Sequence, residues 1–469
     1  MAERAATSRP QICSPDARQV LWLERMPPGD PQPPKPSLEC SGLAASARSG
    51  HGWAVAGLLV AGLCGIAVAA AATSDQAEPS PATPSPLQRP EKQAAKKLPA
   101  AEGSGPAASA RLAEPSGSIS ALLSTAHFDA ASGHFVARGP GGGTERLTLV
   151  PELQRSIERL LATYRMPLGE IVALEPASGR ILAMARSQTP GEAGDGLETT
   201  EAFPAASVFK LVTATALLER GVSPTEEICY HGGKHRLHAR ELVDDDRRDR
   251  RCTTLAQAVA HSTNVAIAKL AARNIDPVWL RDWADRLLFD HRLPMDAETA
   301  FSTATVPADR FDFASTAAGF GDVELNPLHA AALAAAIGHD GLLVPLHVLD
   351  DAGAPHADPA RLMPARLARE LTAMMALAVR EGTARKAFRT RLARRLEAAG
   401  KTGSISTHGP FRDYSWFVGF APALDPQIAV AVLVVNGLRW RVHASTLAEA
   451  TMQAYLRPPR AQELRADRR

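Results

Sequence analysis

Tyr414-Ser-Trp-Phe-Val-Gly-Phe420 and Gln427-Ile-Ala-Val-Ala-Val-Leu-Val-Val435 are two uncharged runs rich in β-branched and aromatic residues. Between them lies Ala421-Pro-Ala-Leu-Asp-Pro426, so both runs read as strands. An Ala-rich helical stretch follows, from about Ser445 to Tyr455. The front of the same region mirrors this arrangement. Pro151 to Tyr164 places Leu153, Ile157, Leu160 and Leu161 on one helical stripe, with Pro in the first turn. Two β-like runs come next, Glu170 to Leu174 and Arg180 to Ala185, around a Pro176-Ala-Ser-Gly179 turn. Between Ala205 and Arg395 the pattern is mostly helical and Ala-rich. Strands at both ends and helices between them predict an α+β fold. A single antiparallel sheet formed from both ends of the domain would be flanked by terminal helices and carry a large all-α insertion.

The chain has 469 residues, with 52 Lys and Arg against 50 Asp and Glu. This near balance gives no reason to expect nucleic acid as a partner. Of the cations only 9 are Lys, and five of these lie beyond Thr144 (Lys210, Lys234, Lys269, Lys386, Lys401). Lys can lose its proton where Arg cannot, so each of the five invites a question.

Trp53 to Ala72 is uncharged and free of Pro, and as a helix would reach about 30 Å, enough for a bilayer core. A cleaved signal peptide fits less well, because 52 residues precede the run. A lipid anchor at Cys64 is disfavoured by Leu63. Arg4, Arg9, Arg18, Arg25, Lys35 and Arg48 precede the run, and no Lys or Arg follows until Arg89. The expectation is a single-pass membrane anchor: residues 1–52 a cytoplasmic tail, 53–72 the transmembrane helix, the remainder outside. Residues 73–143 are rich in Pro, Ala, Ser and Gly, end in Gly139-Pro-Gly-Gly-Gly143, and read as a linker. A short ordered piece is allowed around Ile119 to Phe135. The enzymatic domain is expected at 144–458, with a disordered tail at 459–469.

Cys229 and Cys252 fall in the exported part, 23 positions apart. Outside the membrane such a pair can oxidise, which is worth about 3 kcal/mol on the loop-entropy account. His231, His235 and His238 allow a zinc reading with Cys229. The spacing is no standard ligand pattern, though, and the following ELVDDDRRDRR reads as a solvated loop.

Three short motifs bear chemistry. In Ser207-Val-Phe-Lys210 the two polar residues share one face of an opening helix. The helix N-terminus would stabilise an alkoxide on Ser207, and a desolvated Lys210 could accept its proton. Alone, the motif is weak. Ser262-Thr-Asn264 interrupts a helical pattern with small polar residues. It reads either as a helix cap or as a hydroxyl that shuttles a proton beside an amide that holds a carbonyl. Neighbouring His261 would point away. Lys401-Thr-Gly-Ser404 reads either as a Gly turn or as an edge strand. As a strand it would offer backbone groups to an extended peptide, Gly403 allowing close approach and Lys and two hydroxyls suiting a carboxylate.

In this order the motifs resemble the penicillin-binding protein transpeptidase domain and its relatives, the serine β-lactamases. The resemblance runs from about Arg146 to Leu456. It includes TLVPELQRSIERLLA, EPASGRILAMA, GFGDVELNPLHAAALAAAIGHDGLLVP, EGTARKAF and SWFVGFAP. It implies an acyl-enzyme mechanism on peptidoglycan stem peptides ending in D-Ala-D-Ala, with β-lactams as inhibitors and neither cofactor nor metal. By resemblance Ser207 is the nucleophile, Lys210 its general base and Ser262 the relay to the leaving D-Ala. Asn264 orients the substrate amide, and Lys401, Thr402, Gly403 and Ser404 bind the substrate's carboxylate end. The N–H groups of Ser207 and Ser404 form the oxyanion hole. What precedes the domain reads as anchor and linker, without room for a glycosyltransferase domain, so a separate glycosyltransferase partner is left open. A D,D-carboxypeptidase or β-lactamase on the same fold, or a non-catalytic binding module, are the alternatives. Class D β-lactamases usually carry an apolar residue where Asn264 stands. Glu324 superficially suits a deacylating glutamate, but its segment fits better as the approach to a helix at Pro327-Leu328.

Overall fold

Five antiparallel strands form the central sheet: β1 (Leu168–Leu174), β2 (Ile181–Gln188), β3 (Ala399–Thr407), β4 (Arg412–Ala421) and β5 (Ile428–Asn436). Their order is β3-β4-β5-β1-β2, so the strands from the two ends of the domain meet where β5 pairs with β1, Leu433 opposite Glu170. All nine residues of β5 are buried. Ala429, Ala431, Leu433 and Val435 face one core, and Ile428, Val430, Val432 and Val434 face the other. With both faces covered, the strand has no polar side to alternate, which explains the unbroken apolar run in the sequence.

The computed structural model describes residues 117–139, 141–188, 201–233, 236–350, 358–408 and 411–457. The expected cytoplasmic tail, the apolar run 53–72, most of the linker and the tail 459–469 lie outside the described residues. Among the described residues no helix is long and apolar enough to cross a membrane.

Seven helices matter for the site: α1 (Pro151–Tyr164), α2 (Lys210–Glu219), α3 (Leu255–His261), α4 (Asn264–Asn274), α5 (Pro327–Gly338), α6 (Ala365–Arg380) and α7 (Ala444–Leu456). On one side of the sheet Leu153, Ile157 and Leu161 of α1 and Leu447, Ala448 and Met452 of α7 cover Ile171, Ala173, Phe417 and Val432. On the other side α5 and the helical insertion share a core with Val172, Val418 and Leu433. The expected α+β arrangement of terminal helices, sheet and large insertion is thus the observed one, but the insertion is not all-α: it also carries short strand pairs such as Glu227–Tyr230 with Arg251–Thr254. An exception sits inside β1. Glu170 is buried, and burial pushes its carboxyl up to about 8, against the pull of Arg186 opposite it on β2.

The structure refines three readings. The ordered piece allowed around Ile119 to Phe135 is present and begins the folded chain before Thr144: a Ser118-capped helix, Ile119–Thr125, leads into a small sheet of His127–Asp129, His134–Arg138 and Thr144–Arg146. Ile119, Leu122 and Leu123 are buried in the main core, and Ile119 N–H donates to Glu298 O at 3.0 Å. Three apolar residues on one face hold this segment within the domain, although the surrounding composition is that of a spacer. Second, the disulfide open to Cys229 and Cys252 is present, which leaves Cys229 no thiolate for the disfavoured zinc reading. Cys229 and Cys252 face each other across the hairpin Glu227–Tyr230/Arg251–Thr254 and are disulfide-bonded. His235 lies outside the described residues, and among those described no group of His, Cys, Asp and Glu could hold a metal. Third, ELVDDDRRDRR is not a free loop. Asp249 accepts from Lys269 Nζ at 2.7 Å and lies 2.5 Å from His231 Nδ1. Its desolvation is outweighed by these bonds, which hold the carboxyl down at about 2.

Candidate active site

Ser207 sits in a single 3-10 turn, Ala206–Val208, and α2 begins only at Lys210. The helix therefore starts three residues later than the sequence suggests. Its approach is pinned to the sheet by Trp416, whose Nε1 donates to Pro204 O at 2.9 Å. Gly403 on β3 lets the strand close on this turn: a Cβ there would meet Val208 Cγ2 at 3.1 Å and Ala205 O at 3.3 Å. On the opposite side Gly319, at φ +89°, leaves no room for a Cβ against Ala206 O and Ser207 Cα. Ala206 itself is held at φ 49°, a left-handed conformation that costs a non-glycine residue about 1 kcal/mol or more. Ser207 is thus clamped between two glycine approaches on a strained turn.

Lys210 is 0% exposed. Its Nζ lies 2.7 Å from Ser207 Oγ, 2.8 Å from Asn264 Oδ1 and against Ala318 O. Burial, and then the charge of Lys401, hold its amine well below the ordinary lysine range. A neutral amine has two N–H bonds and one lone pair. Asn264 Oδ1 and Ala318 O can only accept, so they take both N–H bonds and leave the lone pair for the Ser207 O–H. This is the arrangement of a nucleophile with its base.

Ser262 caps α3 in the left-handed conformation (φ 55°), and α4 begins at Asn264. The expected break in the helix is there. It turns Ser262 and Asn264 into the site while His261 stays exposed. Lys401 is also fully buried; its Nζ donates to Ser262 Oγ at 3.1 Å and to Thr402 O at 2.7 Å. Burial pulls it down to about 7. Lys401 therefore reaches the site through Ser262 and Thr402. The edge-strand expectation holds: β3 is the outermost strand, starting at Ala399, where the sequence suggests a helical segment running to Gly400. Ser404 is exposed on it, and Gly403 is buried. All eight expected residues, Ser207, Lys210, Ser262, Asn264, Lys401, Thr402, Gly403 and Ser404, fall on these neighbouring elements. Glu324 lies exposed on the strand Val323–Leu325, and Asn326 caps α5 at Pro327.

Two participants carry no signal in the motifs. The Ala318 carbonyl completes the Lys210 cage, and no side-chain pattern can announce a backbone oxygen. Thr383, in the quoted EGTARKAF, lies 2.6 Å from Thr402 Oγ1 while its N–H donates to Ala260 O at 3.2 Å. It ties the third motif to the helix that precedes the second.

The chain is 26% identical over 350 residues to the peptidoglycan D,D-transpeptidase PbpA of Mycobacterium tuberculosis, covering 65% of this chain and 69% of that one. The PbpA of Mycolicibacterium smegmatis is 27% identical over 348 residues, with the same coverage. The crystal structure of PBPA from M. tuberculosis superposes with a TM-score of 0.55 at 24% identity, over 68% of this chain and 82% of that one, a likeness of fold. The imipenem acyl-enzyme complex of that protein matches with a TM-score of 0.55 at 25% identity, over 66% and 79% of the two chains. Residues 169–456 match the signature of the penicillin binding protein transpeptidase domain, and the chain belongs to that family.

Proposed function

We propose that the chain is a serine D,D-transpeptidase that cross-links peptidoglycan stem peptides through an acyl-enzyme. The observation that carries the reading is the Lys210 cage, which leaves one lone pair for Ser207. Ser207 Oγ attacks the carbonyl carbon of the penultimate D-Ala and gives its proton to Lys210. The N–H groups of Ser207 and Ser404 stabilise the oxyanion, where one lost donor typically costs about 10²–10³ in rate. Collapse breaks the peptide bond, and the leaving D-Ala nitrogen takes its proton through Ser262. The amine of a second stem peptide then attacks the ester and releases Ser207. Asn264 offers its remaining amide N–H to the substrate backbone. Thr402 and Ser404 receive the terminal carboxylate, with Lys401 supplying charge from beneath through Ser262. β-Lactams acylate the same serine.

The run 53–72 anchors the chain in the inner membrane with its N-terminus in the cytoplasm and the catalytic domain outside. The Cys229–Cys252 disulfide supports that side, since such bonds persist in oxidising compartments. A separate glycosyltransferase would supply the glycan strands. Ser207→Ala is expected to abolish covalent labelling by a fluorescent penicillin while melting like the parent. Labelling that persists, or that maps by peptide mass to another serine, overturns the reading; rapid turnover of the adduct identifies a hydrolase instead.

A further inference from the structure

Between α6, the end of α5 and the segment 381–398 lies a cavity of about 1470 Å³ to which none of the motif residues contributes. This exceeds the roughly 300–1,000 Å³ of small-molecule sites. Its floor is one face of α6, where Thr372, Ala373 and Ala376 present only small side chains. Val379 and Phe388 back the cavity but are buried, whereas Leu424, 93% exposed, overhangs it. The rim is basic. Six cations line the cavity against three carboxylates, and among the described residues only Arg369 of the six has an ion-pair partner, Asp340 at 3.1 Å. Arg380, Arg385, Lys386, Arg389 and Arg394 make no ion pair among the described residues. Arg380 stands at the end of the α6 floor, and the other four stand on the facing segment.

We infer that this groove docks an acidic amphipathic helix of a partner protein. Small residues on α6 allow a second helix backbone to approach closely, and an apolar stripe on that helix would cover Ala373, Ala376 and Leu424. From Arg369 to Arg380 the floor spans eleven helical steps, about 16 Å at 1.5 Å each, the length of three turns. Carboxylates on the incoming helix would meet the cations of the facing segment and Arg380 at the end of the floor, the helix-in-groove mode with charge setting orientation. A membrane surface would engage a protruding basic patch, whereas here the apolar surface is recessed. The chain's own C-terminal stretch 458–469 carries four Arg against two carboxylates and has the wrong sign.

The test uses the full-length chain and a fluorescein-labelled 14-residue peptide with Leu on one helical stripe and Glu elsewhere. Fluorescence anisotropy should show saturable binding. A peptide of identical composition with the stripe scrambled should bind at least fivefold more weakly, and a Leu/Lys peptide not at all. The triple variant Arg385→Glu, Arg389→Glu, Arg394→Glu should weaken binding at least tenfold. Ala376→Trp, which fills the floor without changing charge, should do the same. Labelling by fluorescent penicillin should persist in both variants and certifies the fold. Equal binding of the scrambled peptide, or indifference to Ala376→Trp, would mean charge attraction alone and sink the proposal. So would absence of peptide binding, or binding of phosphatidylglycerol vesicles that the triple variant loses while the peptide fails.

Discussion

Two regions of the insertion each bury a lysine completely, and they treat it in opposite ways. Lys269, on α4, is met by Asp249 at 2.7 Å and Asp244 at 2.9 Å, with the Cys229 carbonyl at 3.1 Å. Lys210, on α2, is met by a hydroxyl, an amide oxygen and a carbonyl, and by no carboxylate within ion-pair distance among the described residues. Carboxylates compensate a buried ammonium; neutral acceptors do not, and the second cation at Lys401 works against it as well. Burial alone therefore does not make a lysine a base. What decides is whether anything nearby balances the charge: Lys269 is held in ion pairs, while Lys210 meets only neutral acceptors, the setting that the proposed role of proton acceptor requires.

The sharpest way to break this contrast is Lys210→Arg, which preserves charge and removes the lone pair. Acylation by penicillin, followed by stopped-flow or intact-protein mass, should fall by about 10²–10⁴, the usual worth of a general base. Lys401→Arg should retain at least tenfold more activity than Lys210→Arg, because Lys401 contributes charge rather than a lone pair. Comparable rates in the two variants would overturn the division of labour.

Lys269→Met should do the reverse. It leaves Asp249 without its buried partner and should cost on the order of 3 kcal/mol of stability, read as a lowered denaturant midpoint. The acylation rate of the protein that remains folded should stay within about twofold of the parent. A large loss of acylation at unchanged stability would place Lys269 in the catalytic machinery instead.

The smallest effect is a change in pH profile. In the free enzyme Lys210 must be deprotonated and Lys401 protonated, so the acylation rate at low β-lactam concentration should trace a bell. Its acid limb follows Lys210, whose position burial and Lys401 have lowered from 10.5; its alkaline limb follows Lys401, at about 7. The signs differ: raising pH creates the base on one lysine and removes the charge on the other. Lys401→Arg cannot lose its proton in this range and should flatten the alkaline limb. A bell that survives unchanged in this variant assigns that limb to another group.

Most of the fold was legible because its signals are local. Pro151–Tyr164 and the strands around Tyr414 and Gln427 are each set by a periodicity or a β-rich run that tertiary contacts reinforce. The segment 117–146 was harder, since three buried residues among small and polar ones make little pattern until Glu298 and the main core supply their partners. In the site, Ser207, Lys210, Asn264 and Lys401 could be named from residue type and order. The manner in which Lys401 acts could not. Its fully buried position under Ser262 depends on the approach of β3 to α3, a distance no spacing encodes. The pairing of Asp249 with Lys269, 20 positions apart, escaped for the same reason: a run of mixed charge reads as solvated unless its long-range partners are known.

The seam between β5 and β1 has a consequence for biogenesis. The hairpin β1–β2 is made early, but its partner strand β5 begins only at Ile428. About 250 residues separate the two, roughly 12–50 s of synthesis at 5–20 residues per second. Throughout that interval the hairpin presents an apolar edge with unpaired backbone groups, the kind of surface that recruits other strands. The last strands to emerge are thus the ones that close the sheet, and a chain truncated before Ile428 would leave that edge permanently open.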